Sequence, residues 1–503
     1  MISVGGRAQP KVDDDDDAVA TIGSAKVPEP PKDPKARDQW LADKLAAALT
    51  SRPKLAKIKA AIQVTDLGTG RALYAKDATA PMNLASNAKL LTSTAALATL
   101  GAGFHWRTAV YADALPDKSG KVKGDLYLRG RGDPLLSERD LRALADEVAA
   151  RGIVELDGKL VVDDTYFDRV VEPPHFDEQK AERAGFRAPV AGLGVARSAI
   201  TVVVTANPAD PSKANIRLEP DAGDYVRIGK REVTTVTDGR SKIRVDMKAK
   251  GDHVEIDVAG TIRAIDGSFD QRRRVDDPAR FAAEVFRRAL ALRGIKIRSI
   301  AMGAVPATAK LVATHEGVTL AAALRDMNKY SDNYLAESVL KTLGAEARAQ
   351  TGKALPPATW ADGTAAVAAY LATIGLPAGS YRADNGSGLF DATRVSAQQL
   401  VTILAAANAD YRIGPDLVAS LPIAGLDGTL AKRWHGHPAL GRVRAKTGTL
   451  DKVTTLAGYV GVEGGHLLAF AILYNDLGGG IRPIAREAAD EMIDVLAAYL
   501  GAR

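Results

Sequence analysis

Cysteine is absent from all 503 residues, which excludes disulfides, thiolate zinc sites, iron–sulfur clusters and a cysteine nucleophile together. A chain without cysteine is indifferent to the redox state of its compartment. Also lacking is a run of about 18 unbroken apolar residues, the least that a membrane-spanning helix needs. Residues 1–23 carry no apolar core of the secretory kind, so no export signal is visible. Charge of one sign is not in large excess: Lys plus Arg number 67 against 61 for Asp plus Glu, a formal net charge of +6 spread along a long chain. Nucleic acid is therefore not expected as a partner. There is no HExxH, no GxxxxGK[ST], and no dinucleotide fingerprint, since Gly130 and Gly132 in RGRGDP do not complete one. His435-Gly436-His437 has no carboxylate-rich companion and reads as a loop, so neither a metal nor a cofactor is expected. Gly386-Ser387-Gly388 lacks the GxSxG spacing of a nucleophile elbow and suits a turn.

What is present is ordinary globular composition, 46% hydrophobic and 25% charged, long enough for two to four domains at about 100–200 residues each. The five aspartates Asp13 to Asp17 and the proline-rich VPEPPKDPKA predict a solvated, disordered leader over residues 1–35. Order is expected from near Trp40, with a helix in WLADKLAAAL and a hairpin in IKAAIQVTDLGTGRALYAKD. In PMNLASNAKLLTSTAALATLG, Leu84, Ala88, Leu91 and Ala95 fall on one helical face, with Gly101 as the stop. From about His105 to Met302 strand-like segments dominate, with helical patterns at LRALADEVAARG and ARFAAEVFRRALALRG. After about Gly303 alanine-rich helical patterns return, followed by the strand-like VRAKTGTL, LAGYVGV and LLAFAILYND and a closing helix. No solenoid or propeller repeat is visible.

Three motifs occur in chain order: Ser86-Asn87-Ala88-Lys89, Ser331-Asp332-Asn333 and Lys446-Thr447-Gly448. An SxxK tetrad alone carries little weight, because Ser51 to Lys54 and Ser338 to Lys341 repeat it. Neither of those opens an apolar-periodic helix with the other two motifs following. The ordered set is that of serine β-lactamases and penicillin-binding proteins. Residues i and i+3 share a helix face, so Lys89 can take the proton of the Ser86 hydroxyl, without which serine is a poor nucleophile. A lysine acts as a base near neutral pH only when its pKa is depressed; burial and a second cation do that, and Lys446 is the candidate cation. Ser331 is positioned to relay a proton to the leaving group, and Asn333 to hydrogen-bond a substrate amide. Gly448, alternating with Lys446 and Arg444 along a strand, lets a substrate backbone approach closely. Taken singly, Ser86 reads as a helix N-cap, Ser-Asp-Asn as a turn, and Lys446 as the lysine of an edge strand.

Together with LASNAKLLTSTAAL, GDLYLRGRGDPLL, MNKYSDNYLAESVLK, ADNGSGL, LPIAGLDGTL and VRAKTGTLDKVTTLAGYV, these motifs resemble those of the S13 peptidases, the class C low-molecular-mass penicillin-binding proteins. The likeness runs from about Trp40 to Leu500. It implies an α/β fold with a serine β-lactamase/DD-peptidase-like catalytic domain split in sequence, residues 36–104 and 303–503, around a β-rich inserted region, 105–302, of one or two subdomains. The 245 positions between Ser86 and Ser331, against 115 between Ser331 and Lys446, accommodate such an insertion.

The resemblance also implies an activity: a D-Ala-D-Ala carboxypeptidase/endopeptidase acting on peptidoglycan peptides through an acyl-enzyme on Ser86, with β-lactams as covalent inhibitors. Its catalytic residues are Ser86, Lys89, Ser331, Asn333 and Lys446. The backbone N–H groups of Ser86 and Thr449 would form the oxyanion hole, with Thr447, Gly448 and Thr449 near the substrate's terminal carboxylate. Asp163, or Asp164 beside it, would hold the free amino end of a diaminopimelate side chain; a polar turn closing a hairpin is the other reading of the pair. A periplasmic or otherwise extracytoplasmic place follows, with room for a homodimer and at most peripheral membrane association. The chain departs from the family pattern at APVAGLGVARSA, where an asparagine-containing stretch is expected. Two alternatives stand beside this reading: a catalytically weak penicillin- or peptidoglycan-binding protein, and an esterase or β-lactamase of the same fold.

Overall fold

A computed structural model describes residues 27–179, 183–207, 209–350 and 357–502. The aspartate run Asp13 to Asp17 and most of the expected leader lie outside the described residues. The first helix, Pro34–Thr50, begins inside the proline-rich stretch. Asp33 caps it by accepting from the Ala36 N–H at 2.8 Å, and Pro34 stands at the first helical position, where its fixed φ and missing N–H cost nothing. Proline-rich sequence that reads as leader thus forms the first turn of a helix.

One sheet, built from both ends of the chain, is antiparallel and five-stranded, in the order Val443–Leu450, Val453–Gly461, Leu467–Asn475, Lys59–Asp66, Ala72–Lys76. Lys59 pairs with Asn475 and Asp66 with Leu468, so the two ends of the chain meet in one sheet. Its sides follow the two-residue period of a strand. In Leu467–Asn475, the side chains of Leu468, Phe470, Ile472 and Tyr474 pack with the helices Pro34–Thr50 and Arg482–Gly501. The intervening Ala469, Ala471 and Leu473 face a layer of helices that includes Ala88–Leu100, Asn333–Ala349 and Ala397–Ala409. Small residues on that side bring the helices that carry the motifs close to the sheet. Full burial of each large residue on the other side contributes about 1.5–3 kcal/mol.

The inserted region has its own core, built on a five-stranded sheet in the order Ile300–Met302, Leu160–Asp163, Leu126–Arg129, His105–Ala112, Lys310–Thr319. The helices Glu138–Ala150 and Pro278–Ala291 pack on it, and two three-stranded sheets extend it. Its entry strand, His105–Ala112, pairs antiparallel with Lys310–Thr319, Ala112 opposite Lys310 and His105 opposite Thr319. The region's sheet therefore runs past residue 302, where the sequence texture ends it. KLVATHEGVT hides this strand, because only Val312 and Ala313 are buried and two register shifts interrupt the ladder. The insertion also returns to the catalytic helices, into whose core it sends Phe167, Ala188 and Val190. Among the described residues no helix is long and apolar enough to cross a membrane.

Candidate active site

Ser86 lies in a single 3₁₀ turn, Ala85–Asn87, that leads into the helix Ala88–Leu100. It is partly exposed, whereas Ala85 and Asn87 on either side are fully buried. The turn is held from the sheet. The Thr455 hydroxyl donates to the Leu84 carbonyl at 2.8 Å and accepts from Asn87 Nδ2 at 2.6 Å. The Ala85 N–H donates to Asn83 Oδ1 at 2.9 Å. These tethers keep Ala85 at φ 46°, a left-handed conformation that costs a non-glycine residue about 1–3 kcal/mol and persists only when its surroundings impose it. Ser86 is not a helix N-cap, since no side chain caps this helix.

Lys89, one turn on, is fully buried. Its Nζ lies 2.9 Å from Ser86 Oγ, 2.7 Å from Asn333 Oδ1 and 3.1 Å from the Ser387 carbonyl oxygen. Asn333 opens the helix Asn333–Ala349, which Asp332 caps by accepting from the Leu335 N–H at 3.0 Å. Asn333 Nδ2 donates to the Phe186 carbonyl at 3.3 Å, so the inserted region supplies a main-chain group to the site. Ser331, just before the cap, has φ 59° and accepts from Lys446 Nζ at 2.8 Å. Lys446 is also fully buried and donates to the Thr447 carbonyl at 2.8 Å. Two serine–lysine pairs are thus joined across two residues of one loop.

Gly448 stands where the strand meets the turn of the nucleophile. A Cβ there would lie 2.3 Å from Thr455 Oγ1, 2.6 Å from the Leu84 carbonyl oxygen and 3.1 Å from the Ser86 nitrogen. The close approach that this glycine permits on its Cβ side is by the protein's own turn. Thr447 and Thr449 are partly exposed. Thr447 donates to Thr429 Oγ1 at 2.9 Å, and Thr449 Oγ1 accepts from the Arg486 guanidinium at 3.4 Å. Asp163 is not brought to this cluster as a free carboxylate. It is 2% exposed, accepts from Thr165 N and Oγ1 and from the Val305 N–H, and lies 3.5 Å from Arg129 Nε. These partners make it the lock of a turn at the end of its strand. Asp164 beside it is half-buried, and burial pushes its carboxyl above the ordinary aspartate value.

Several groups at the site have no signature in sequence. The Ser387 carbonyl belongs to the turn of Gly386-Ser387-Gly388, and a main-chain oxygen says nothing through residue identity. Gly388 is required there: a Cβ would stand 2.0 Å from the Ala85 carbonyl oxygen. Arg197, in the departing APVAGLGVARSA stretch, pairs with Asp332 at 3.1 Å and with Asp326 at 3.5 Å. That stretch therefore still reaches the Ser-Asp-Asn loop, through an ion pair. His437 is occupied by Asp494 at 2.8 Å, and among the described residues no group of three His, Cys, Asp or Glu side chains is arranged to hold a metal.

A buried lysine on a serine hydroxyl, with a second serine–lysine pair one loop away, is an arrangement capable of lysine-assisted serine acyl transfer. Comparison with known proteins agrees. The D-Ala-D-Ala carboxypeptidase 3 (S13) family matches residues 41–499. A D-alanyl-D-alanine carboxypeptidase of Actinomadura sp. (strain R39) is 34% identical over 472 residues, 90% of this chain and 84% of that protein. The D-alanyl-D-alanine carboxypeptidase DacB of Haemophilus influenzae is 27% identical over 406 residues, 79% of this chain and 81% of that one. Among solved structures, penicillin binding protein 4 (dacB) from Haemophilus influenzae shares the fold with a TM-score of 0.72 at 23% identity, covering 88% of this chain and 97% of that chain. The chain belongs to the D-Ala-D-Ala carboxypeptidase 3 (S13) family of serine peptidases.

Proposed function

We propose that this chain hydrolyses the D-Ala-D-Ala ends and cross-links of peptidoglycan peptides through an ester on Ser86. The observation that carries this reading is the set of partners around Lys89. Asn333 Oδ1 and the Ser387 carbonyl can only accept hydrogen bonds. A neutral Lys89 amine that donates its two hydrogens to them turns its lone pair to the Ser86 hydroxyl. Ser86 Oγ then attacks the carbonyl carbon of the penultimate D-alanine while its proton passes to Lys89. Lys446 donates to Ser331 Oγ, so the Ser331 hydroxyl hydrogen is free to point at the departing amine; Ser331 protonates that amine and takes in turn the proton that Lys89 received from Ser86, which leaves Lys89 neutral again. Water then hydrolyses the ester, with Lys89 again in reach as base.

The partly exposed Thr447 and Thr449, with the Arg486 guanidinium beside Thr449, offer hydroxyls and a cation to a terminal carboxylate. The Ser86 and Thr449 N–H groups are the proposed oxyanion donors, each worth about 2.7–4 kcal/mol in comparable sites. Support for β-lactams as covalent inhibitors comes from a solved structure of penicillin binding protein 4 (dacB) from Haemophilus influenzae complexed with a novel beta-lactam. Action on peptidoglycan places the protein outside the cytoplasmic membrane. Mass spectrometry of the intact chain after penicillin treatment tests the reading. A single adduct on the peptide containing Ser86, absent from Ser86→Ala, is expected. An adduct retained by that variant would exclude Ser86 as the nucleophile.

A further inference from the structure

One buried carboxylate lies directly behind the catalytic lysine and has no part in the steps above. Glu337 is 1% exposed and sits one helical turn beyond Asn333, on the same helix face. Its Oε2 accepts from the Gly386 N–H at 2.9 Å and its Oε1 from the Ser387 N–H at 2.8 Å. With both oxygens accepting, the group acts as a carboxylate. Burial pushes it above the ordinary glutamate value, while the N–H donors and the nearby Lys89 pull it back. The same turn is held from the opposite side. The Thr92 hydroxyl, one turn beyond Lys89, donates to the Gly386 carbonyl at 2.9 Å, and Asn385 Oδ1 accepts from the Gly388 N–H at 2.8 Å.

Leaving a charged group buried is unfavourable unless specific partners hold it. Here the partners are two successive N–H groups of the one loop whose next carbonyl faces Lys89 Nζ. Each peptide plane joins the carbonyl of one residue to the N–H of the next, so Glu337 fixes the two planes that lead into Ser387, while the plane that carries the Ser387 carbonyl is held at the Gly388 N–H by Asn385 Oδ1. We propose that Glu337 is a positioning residue for the acyl-transfer reaction: by gripping the Gly386 and Ser387 N–H groups it anchors the turn from which the Ser387 carbonyl reaches Lys89, and so helps to direct the lysine lone pair to Ser86. This rests on Ser86 and Lys89 having the roles assigned above. Asn333 at the start of the helix and Glu337 one turn later then set both acceptors of the lysine, one directly and one through the loop. Glu337→Gln breaks the device while keeping its size, because an amide NH2 would face one of the two N–H donors.

The test is the acylation rate constant for a fluorescent penicillin in wild type, Glu337→Gln and Thr92→Val, with the labelled fraction and thermal midpoint measured on each sample. Glu337→Gln is expected to label Ser86 to completion but about 10- to 100-fold more slowly, with the non-covalent binding constant changed less than about 3-fold. Its acid limb of rate against pH moves down by about half to one unit, because a carboxylate that favours the lysine ammonium is gone. Thr92→Val, which loosens the same loop from the other side, slows acylation a few-fold. A lowered midpoint with a wild-type rate constant and pH profile in Glu337→Gln would reduce the residue to a structural role and overturn the proposal. Should Glu337→Gln not fold, Thr92→Val decides: slowed acylation supports the positioning role and a wild-type rate overturns it. Absence of an adduct from Ser86 in the wild type would overturn the nucleophile assignment beneath it, a failure distinct from the other two.

Discussion

Two of the three SxxK tetrads lie in or beside helices of the catalytic core, and each ends in a lysine with no exposed surface: Ser86 to Lys89 and Ser338 to Lys341. Their surroundings differ in kind. Lys341 Nζ is 2.5 Å from the Asp168 carboxylate and donates to the Val170 carbonyl at 3.1 Å. It also sits over the rings of Trp360 and Phe167, at 4.6 and 5.2 Å. Burial pushes the Lys341 ammonium below the ordinary lysine value, and Asp168 pulls it back. Lys89 instead meets a hydroxyl, an amide oxygen and a main-chain carbonyl. A carboxylate and two π faces in direct contact favour the charged form of Lys341, whereas the named hydrogen bonds of Lys89 go to neutral groups, with the Glu337 charge also acting on it. Identical spacing therefore leads to different surroundings, a carboxylate and ring faces around Lys341 and the Ser86 hydroxyl beside Lys89, and it is those partners rather than the tetrad that support the proposed base.

The largest test of this contrast exchanges the two tetrads' roles in the assay. Lys89→Met is expected to lower the acylation rate constant by about 10³-fold, within the range for loss of a general base, and Ser338→Ala to leave penicillin labelling at the wild-type rate; stopped-flow labelling reads both. Labelling abolished in Ser338→Ala would break the comparison. A step smaller is Gly448→Ala, whose Cβ would collide with Thr455 Oγ1 and the Leu84 carbonyl. The displaced Ser86 turn should slow acylation about 10²-fold while the protein still folds, as circular dichroism would show.

Lys341→Met should behave in the opposite way, through stability alone. Removing one member of a buried ion pair costs about 3–5 kcal/mol, and the low end applies because Asp168 is partly exposed. Urea unfolding would show the loss, and labelling of the folded fraction would keep its rate. The smallest expected effect concerns His175, which pairs with Asp384 at 2.8 Å and Glu178 at 3.1 Å and so ties the insertion to the loop ahead of Ser387. Burial pushes its imidazolium down, but the two carboxylates outweigh this and hold it above the ordinary histidine value. Its contribution is therefore complete below about pH 6.5 and fades as pH rises through the raised value. His175→Asn should be less stable than wild type by under about 1 kcal/mol at pH 5.5, the gap closing toward pH 9 in parallel thermal melts.

The parts legible in sequence were those in which residue type and spacing are the chemistry. A spacing of three brings Lys89 Nζ to Ser86 Oγ, and a strand carries Lys446 to Ser331. The illegible parts have other causes. The Ser387 and Phe186 carbonyls act through the main chain, which no residue letter records. Glu337 looks like any helical glutamate until tertiary packing buries it. Arg197 lies 135 positions from the aspartate it pairs with, and Lys310–Thr319 carries too few buried residues to show a strand's alternation. Asp163 has the right chemistry for an amine, but its neighbours satisfy its oxygens first. Pro34 reads as a breaker because proline disrupts helix interiors, though not first turns.

The strand Lys59–Asp66, ahead of the Ser86 turn, pairs with its neighbour Ala72–Lys76 but finds the partner for its other edge in Leu467–Asn475, near the other end of the chain. Such a pairing gives the catalytic sheet a high contact order and the slow folding that accompanies it. On a ribosome the inserted region's sheet is complete once Thr319 emerges, whereas the nucleophile's sheet waits for almost the entire chain. During that interval Lys59–Asp66 has Ala72–Lys76 on one edge and an open edge on the other, exposed to wrong association. The sequence order that splits the catalytic domain thus also makes it the last part of the molecule to become an enzyme.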